Sequence, residues 1–164
     1  MEETIFYNSP LGPLLIAARD EAITTVSFVQ EPGNIDLEYN NPTSSTLSRC
    51  IQQLNDYFAG RLFSFDLILN QPGTDFQQKV WSELCHINYG KTISYLELSK
   101  RLGNTKAIRA AGTANGRNNI AIIVPCHRVI GSDGSLVGYA GSLWRKKWLL
   151  EHEGRYGNGV QTLF

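Results

Sequence analysis

Apolar and polar positions follow two different rhythms along this chain, and the change between them outlines its organisation. Near the N-terminus Ile5-Phe6-Tyr7 runs into the turn-rich Asn8-Ser9-Pro10-Leu11-Gly12-Pro13, and Leu14 to Ala18 follows as a short apolar strand. Asp20-Glu21 predicts a turn before Ala22 to Val29, a third strand rich in β-branched residues. Residues 31–42 hold two prolines, one glycine and three asparagines and read as a loop. From Thr43 the period lengthens. Leu47, Cys50, Ile51, Leu54, Tyr57 and Phe58 recur at steps of three and four, an amphipathic helix that Ser44 or Ser45 can cap and Gly60 ends. Cys50 lies on the apolar stripe and reads as a small core residue. Ser64 to Leu69 can return to the sheet. Residues 1–69 therefore predict a small α/β scaffold, joined through the linker 70–73, Asn70-Gln71-Pro72-Gly73.

The second stretch opens on Thr74-Asp75-Phe76-Gln77, a capping box, and Phe76, Val80, Trp81 and Leu84 give the next helix an apolar face ending near Ile87. Ser94 to Glu97 repeats the pattern and opens a short helix to Leu102. Gly103-Asn104 breaks it, and Thr105 can cap a further helix from Lys106 to about Asn115, rich in Ala and Gly. Two short helices across a tight Gly-containing turn describe a helix-turn-helix, a motif shared with many αα-hairpins that bind no nucleic acid. Ile120 to Val124 predicts a buried strand, and Gly131-Ser132-Asp133-Gly134-Ser135 a hairpin wing. Ser142 can cap a last helix that stops at Gly154, leaving residues 155–164 as a loose tail.

Composition and charge narrow the class. The 164 residues suit one ordinary domain or two small ones, and with 42% hydrophobic and 18% charged residues a packed core is expected. No apolar run reaches the ~18 residues of a membrane span. The acidic start Met1-Glu2-Glu3 does not resemble a signal peptide, so the expected location is the cytoplasm, or the nucleus of a eukaryote. Three cysteines at irregular spacing exclude a disulfide framework. The zero net charge conceals a division. Three bases stand against nine acids before Asn70, and twelve against six after it, a net −6 and a net +6. The positive part can attract a polyanion.

Cys126 is the candidate nucleophile. A thiol reacts as thiolate, and burial after an apolar strand would instead leave it inert. Pro125 ends that strand, His127 follows as base or cation, and Arg128 adds positive charge. Neighbours on an extended strand point to opposite faces, so the chain must turn here, or a water must bridge the two groups. A carboxylate must orient the imidazole, and Glu151 and Glu153 on the last helix are the late acids that could do so. Adjacent Cys-His pairs at 85–86 and 126–127 lack zinc-site spacing, so no metal is expected.

Pro125 to Ile130, Gly138-Tyr139-Ala140-Gly141 and Trp148 to Gly154, with Ile93-Ser94-Tyr95, Arg109 to Gly112 and Asn118, resemble the O6-alkylguanine-DNA alkyltransferases. The similarity is close over residues 74–154 and looser before them. It implies an α/β chain, with an N-terminal ribonuclease H-like α/β domain followed by a C-terminal winged helix-turn-helix DNA-binding domain. It also implies a single-turnover repair reaction on double-stranded DNA, in which the alkyl group of an extruded O6-alkylguanine passes to Cys126; O4-alkylthymine is left open. By the same resemblance Glu153 hydrogen-bonds His127, which acts on Cys126 through a water, Asn118 fixes the active-site turn, and Tyr139 donates to the departing base. Arg109 replaces the extruded base and Tyr95 helps swing it out. Ala110, Gly112, Arg117 and Arg128 join the DNA contact, while Tyr95, Val129, Tyr139 and Ala140 line the pocket. No cofactor or membrane is implied, and a monomer is expected. Two departures stand out: Ala140 replaces a serine of some relatives, and the Cys/His set of their N-terminal zinc is missing. Two other readings fit parts of the pattern. A winged-helix protein could sense lesions or regulate transcription without chemistry, and a Cys-His hydrolase would turn over acyl substrates but lacks an oxyanion-hole motif.

Overall fold

A computed structural model describes residues 1–30, 33, 41–139 and 141–162, the last five by backbone alone. The chain divides into two compact units, residues 1–71 with 119–121, and residues 72–118 with 122–164.

In the first unit β1 (Glu3–Ser9), β2 (Gly12–Arg19) and β3 (Ala22–Phe28) form an antiparallel sheet in the order β1-β2-β3. The tight β2–β3 turn places Asp20 and Glu21 at φ 51° and 67°. Helix α1 (Ser45–Phe58) packs on β2 and β3. Its N-cap is Ser44, whose hydroxyl accepts from Leu47 N. Leu14, Ile16, Ile23, Val26, Leu47, Leu54 and Tyr57 are fully buried here. Cys50 joins them, and burial pushes its thiol up to about 12. The predicted return of Ser64–Leu69 shrinks to one bridge, Ile23 to Leu69. Most of the predicted loop at 31–42 lies outside the described residues.

In the second unit α2 (Asp75–Leu84) starts at the predicted capping box, with Thr74 and Gln77 satisfying each other's backbone N–H. The helix stops at Leu84, earlier than expected. A two-residue strand β4 (Ile93–Ser94) leads into α3 (Tyr95–Arg101), capped by Ser94. Thr105 caps nothing here. Asn104 accepts from Lys106 N and opens a 3-10 turn, Thr105–Ala107, after which α4 runs from Ile108 to Gly116.

The strand predicted over Ile120–Val124 does not form. Ile120 makes one parallel bridge to Val26 within the first unit. The chain then turns through Ile122 at φ 71°, a left-handed conformation that no strand contains. Strand β5 (Val129–Ile130) pairs in parallel with β4, and Gly131 N bonds Ser135 O to close the predicted turn. Helix α5 (Leu143–Thr162) passes straight through Gly154, so the backbone of the expected loose tail is helical to Thr162.

Candidate active site

The turn that the Cys126–His127 pair requires is present. Pro125 precedes a 3-10 turn, Cys126–Arg128, in which Arg128 N bonds Pro125 O at 3.0 Å. Cys126 N reaches back to Val124 O at 2.8 Å. Two asparagine amides fix the segment. Asn118 Nδ2 donates to Val124 O at 2.9 Å, and Asn115 Nδ2 donates to Cys126 O at 3.3 Å.

Behind the turn lies a buried charge cluster. His127 is fully buried and its Nε2 sits 2.7 Å from Glu153 Oε2. Arg128 grips the same carboxylate, Nε to Oε1 at 2.8 Å and Nη2 to Oε2 at 3.1 Å, and its Nη1 donates to Ile87 O at 2.6 Å. The expected DNA contact of Arg128 is therefore corrected. Its guanidinium is spent inside the protein, beneath the Tyr89 ring at 5.7 Å. Glu153 is the carboxylate that meets the imidazole, whereas Glu151 is exposed beside Lys147.

The cluster determines protonation. Burial would raise the Glu153 carboxyl, but His127 and Arg128 outweigh it and hold the group below its usual range, so it is ionised. Burial pushes the His127 imidazole down, against the pull of Glu153. Burial also pushes the Cys126 thiol up, opposed by Asn118 and Lys146. At neutral pH both are thus uncharged. A neutral imidazole that donates Nε2–H to a carboxylate carries its lone pair on Nδ1. That atom is buried and has no hydrogen-bond partner among the described residues.

Lys146 is a participant that no sequence motif singles out. It is fully buried, and its Nζ donates to Val129 O and Val137 O, each at 2.7 Å. Desolvation lowers its pKa to about 8. A signal for it exists in the sequence: Lys146, Leu149 and Glu153 recur at helical spacing, so two ionisable groups share the buried face of α5.

Tyr95 is half-buried and donates to Val137 O at 3.2 Å. A Cβ on Gly112 would meet its ring at an ordinary contact distance of 3.6 Å, whereas a Cβ on Gly138 would lie a tight 3.3 Å from its hydroxyl. Burial pushes the Tyr139 phenol well up, and a charge on Cys126 would raise it further. Val129 is fully buried, with its carbonyl already accepting from Lys146. Ala140 lies outside the described residues. Arg109 and Ala110 are exposed on α4, and Arg117 is exposed just past its end.

A neutral thiol and a neutral imidazole occupy consecutive residues of one turn, the imidazole backed by an anion. That arrangement suits a single nucleophilic displacement.

Comparison with known proteins agrees in extent and in kind. Residues 4–71 match the 6-O-methylguanine DNA methyltransferase ribonuclease-like domain, and residues 75–155 match the DNA binding domain of the same name. The chain is 45% identical over 157 residues to a methylated-DNA–protein-cysteine methyltransferase of Mycobacterium tuberculosis, covering 96% of this chain and 95% of that one. Its counterpart in Methanosarcina acetivorans is 47% identical over 149 residues, covering 90% and 96%. Among solved structures, the M. tuberculosis O6-methylguanine methyltransferase superposes with a TM-score of 0.82 at 44% identity, covering 95% and 94% of the two chains. The same organism's protein in complex with DNA gives 0.82 at 45%, covering 92% of each.

Proposed function

Given that this chain belongs to the 6-O-methylguanine DNA methyltransferase family, we propose that Cys126 is its alkyl acceptor and that His127, Glu153 and Asn118 prepare it. The protein is a methylated-DNA–protein-cysteine methyltransferase, acting in direct-reversal DNA repair by alkyl transfer to cysteine. It has an N-terminal ribonuclease-like domain and a C-terminal DNA-binding domain, and DNA is its partner.

The proposed substrate is O6-alkylguanine in duplex DNA. A thiol buried in the protein cannot reach O6 inside a base stack, so the nucleotide must leave the helix. The exposed α4 face presents Arg109 to occupy the gap, and Ala110 lets the helix approach the groove closely. In the pocket the Cys126 proton passes to His127 Nδ1, directly or through a water. Sulfur then bonds to the alkyl carbon as the carbon–O6 bond breaks. The new imidazolium is stabilised by Glu153 at 2.7 Å. The departing guanine accepts a hydrogen bond from the Tyr139 phenol, which burial holds in its neutral form, and the proton that left Cys126 passes from the imidazolium to the guanine, restoring neutral His127. The product is a stable thioether, so each monomer reacts once.

The observation that carries this reading is the buried His127–Glu153 pair, on the residue next to Cys126, with an Nδ1 that has no hydrogen-bond partner among the described residues. Incubation with an O6-methylguanine duplex, followed by intact and peptide mass analysis, tests it. One added methyl per chain, on the Cys126 peptide and absent in Cys126→Ser, is expected. A methyl on Cys50 or Cys85, or an unchanged mass despite tight DNA binding, would overturn it.

A further inference from the structure

We propose that Asn115 is a positioning residue for the alkyl transfer, whose buried amide holds α4 and the Cys126 turn in register. The proposal rests on the reading of α4 as the helix that enters the groove.

Asn115 sits one residue from the end of α4 and is 1% exposed. Its Nδ2 donates across the fold to Cys126 O, the carbonyl of the acceptor residue itself. Its Oδ1 is buried and has no hydrogen-bond partner among the described residues. The amide lies beside the Tyr95 phenol, where it opposes the upward shift that burial imposes. Tyr95 opens α3 and presently donates to Val137 O, so Asn115 Oδ1 is a second acceptor on hand if that hydroxyl moves.

The surroundings stiffen this end of the helix. Trp81 Nε1 on α2 donates to Ala114 O at 2.9 Å, and Ala111 and Ala114 are buried on the inner face. Arg109, Ala110 and Thr113 point the other way, to solvent. Thus α4 has an outer face suited to DNA and an inner end bonded to the acceptor turn. An asparagine is a poor helix former, and an idle buried carbonyl oxygen destabilises a fold. The bond to Cys126 O offsets only part of that cost, and a local rule broken at a buried position points to a functional one.

The consequence concerns distance. In duplex DNA the seat of α4 in the groove determines where the extruded nucleotide enters. The sulfur must meet the alkyl carbon in line, and a misplacement of ~1 Å costs about 100-fold in rate. The Asn115 amide is the direct bond between these two frames. A free base needs no such register, because it docks against pocket walls that move with Cys126.

The test compares Asn115→Ala and Asn115→Asp with the parent. Three quantities are measured: the single-turnover rate at saturating O6-methylguanine duplex, the duplex Kd, and the rate with free O6-benzylguanine. The duplex rate is expected to fall by about tenfold or more, with Kd within about twofold and the free-base rate much less affected. Asn115→Asp lacks the donor to Cys126 O, so its duplex rate should fall as that of Asn115→Ala does, and an unchanged duplex Kd shows that each variant is folded. Equal losses on both substrates, or a loss confined to Kd, overturn the proposal. Arg109→Ala, measured alongside, separates the two readings. If Arg109→Ala is duplex-selective and Asn115→Ala is not, only the positioning role falls. If neither is selective, the reading of α4 falls and takes the positioning role with it.

Discussion

Glu153 carries two duties that its neighbours make compatible. Arg128 neutralises it with two charge-assisted bonds, so the carboxylate is ionised although it is 1% exposed. One oxygen still lies 2.7 Å from His127 and sets the tautomer that leaves Nδ1 open. Breaking such a buried pair on one side costs about 3–5 kcal/mol, so substitution at Arg128 acts first on stability. Ser142 is a different kind of residue. It was expected to cap α5, but its Oγ is buried with no partner among the described residues, and its backbone sits at φ 88°. Both features oppose folding, and glycine would remove both. Ser142→Gly should therefore stabilise the protein by about 1 kcal/mol, raising Tm by about 2–4 °C in thermal unfolding. A lower Tm would show that the hydroxyl finds a partner in solution.

At the scale of elements, what sequence made legible was what neighbouring residues determine. The caps at Ser44, Thr74 and Ser94 and the stripe of α1 depend on residues three or four apart, and each forms where expected. The Ile120–Val124 run failed because apolarity reports burial and not backbone conformation. One bridge and a left-handed Ile122 bury the segment without a strand. The start of α4 shifted because Asn104 captured the cap and Thr105 entered a 3-10 turn. Helix α5 runs past Gly154, Gly157 and Gly159 because each glycine costs only about 1 kcal/mol in a helix and ends one only where the chain has a better alternative. The helix-turn-helix itself yields a prediction. Arg109 is exposed on α4, and the role proposed for it is needed only where a base pair must be opened. Arg109→Ala should slow repair of an O6-methylguanine duplex about tenfold or more beyond its effect on free O6-benzylguanine, read from single-turnover rates. Equal losses would remove the assigned role.

Over the whole molecule, the site gathers residues from Ile87 to Glu153 around one three-residue turn. Cys126 and His127 were legible because they are adjacent in a specific motif. The choice between Glu151 and Glu153 needed the phase of α5, which the Lys146–Leu149–Glu153 spacing contains. The inward turn of Arg128 was not legible, because its partners Glu153 and Ile87 lie 25 and 41 residues away. In the proposed reaction Cys126 and His127 wait as a neutral pair and exchange the proton only during transfer. Burial places the imidazole below its ordinary 6.5 and the thiol above its ordinary 9.0, so both groups are uncharged throughout the interval between. The decisive measurement is the pH dependence of the single-turnover rate with saturating O6-methylguanine duplex. The rate should be flat from about pH 6.5 to 8.5 and decline only on the acid side, as His127 gains a proton. A rate that climbs about tenfold per pH unit across that interval would mean the thiol ionises without the imidazole, and would contradict the claim.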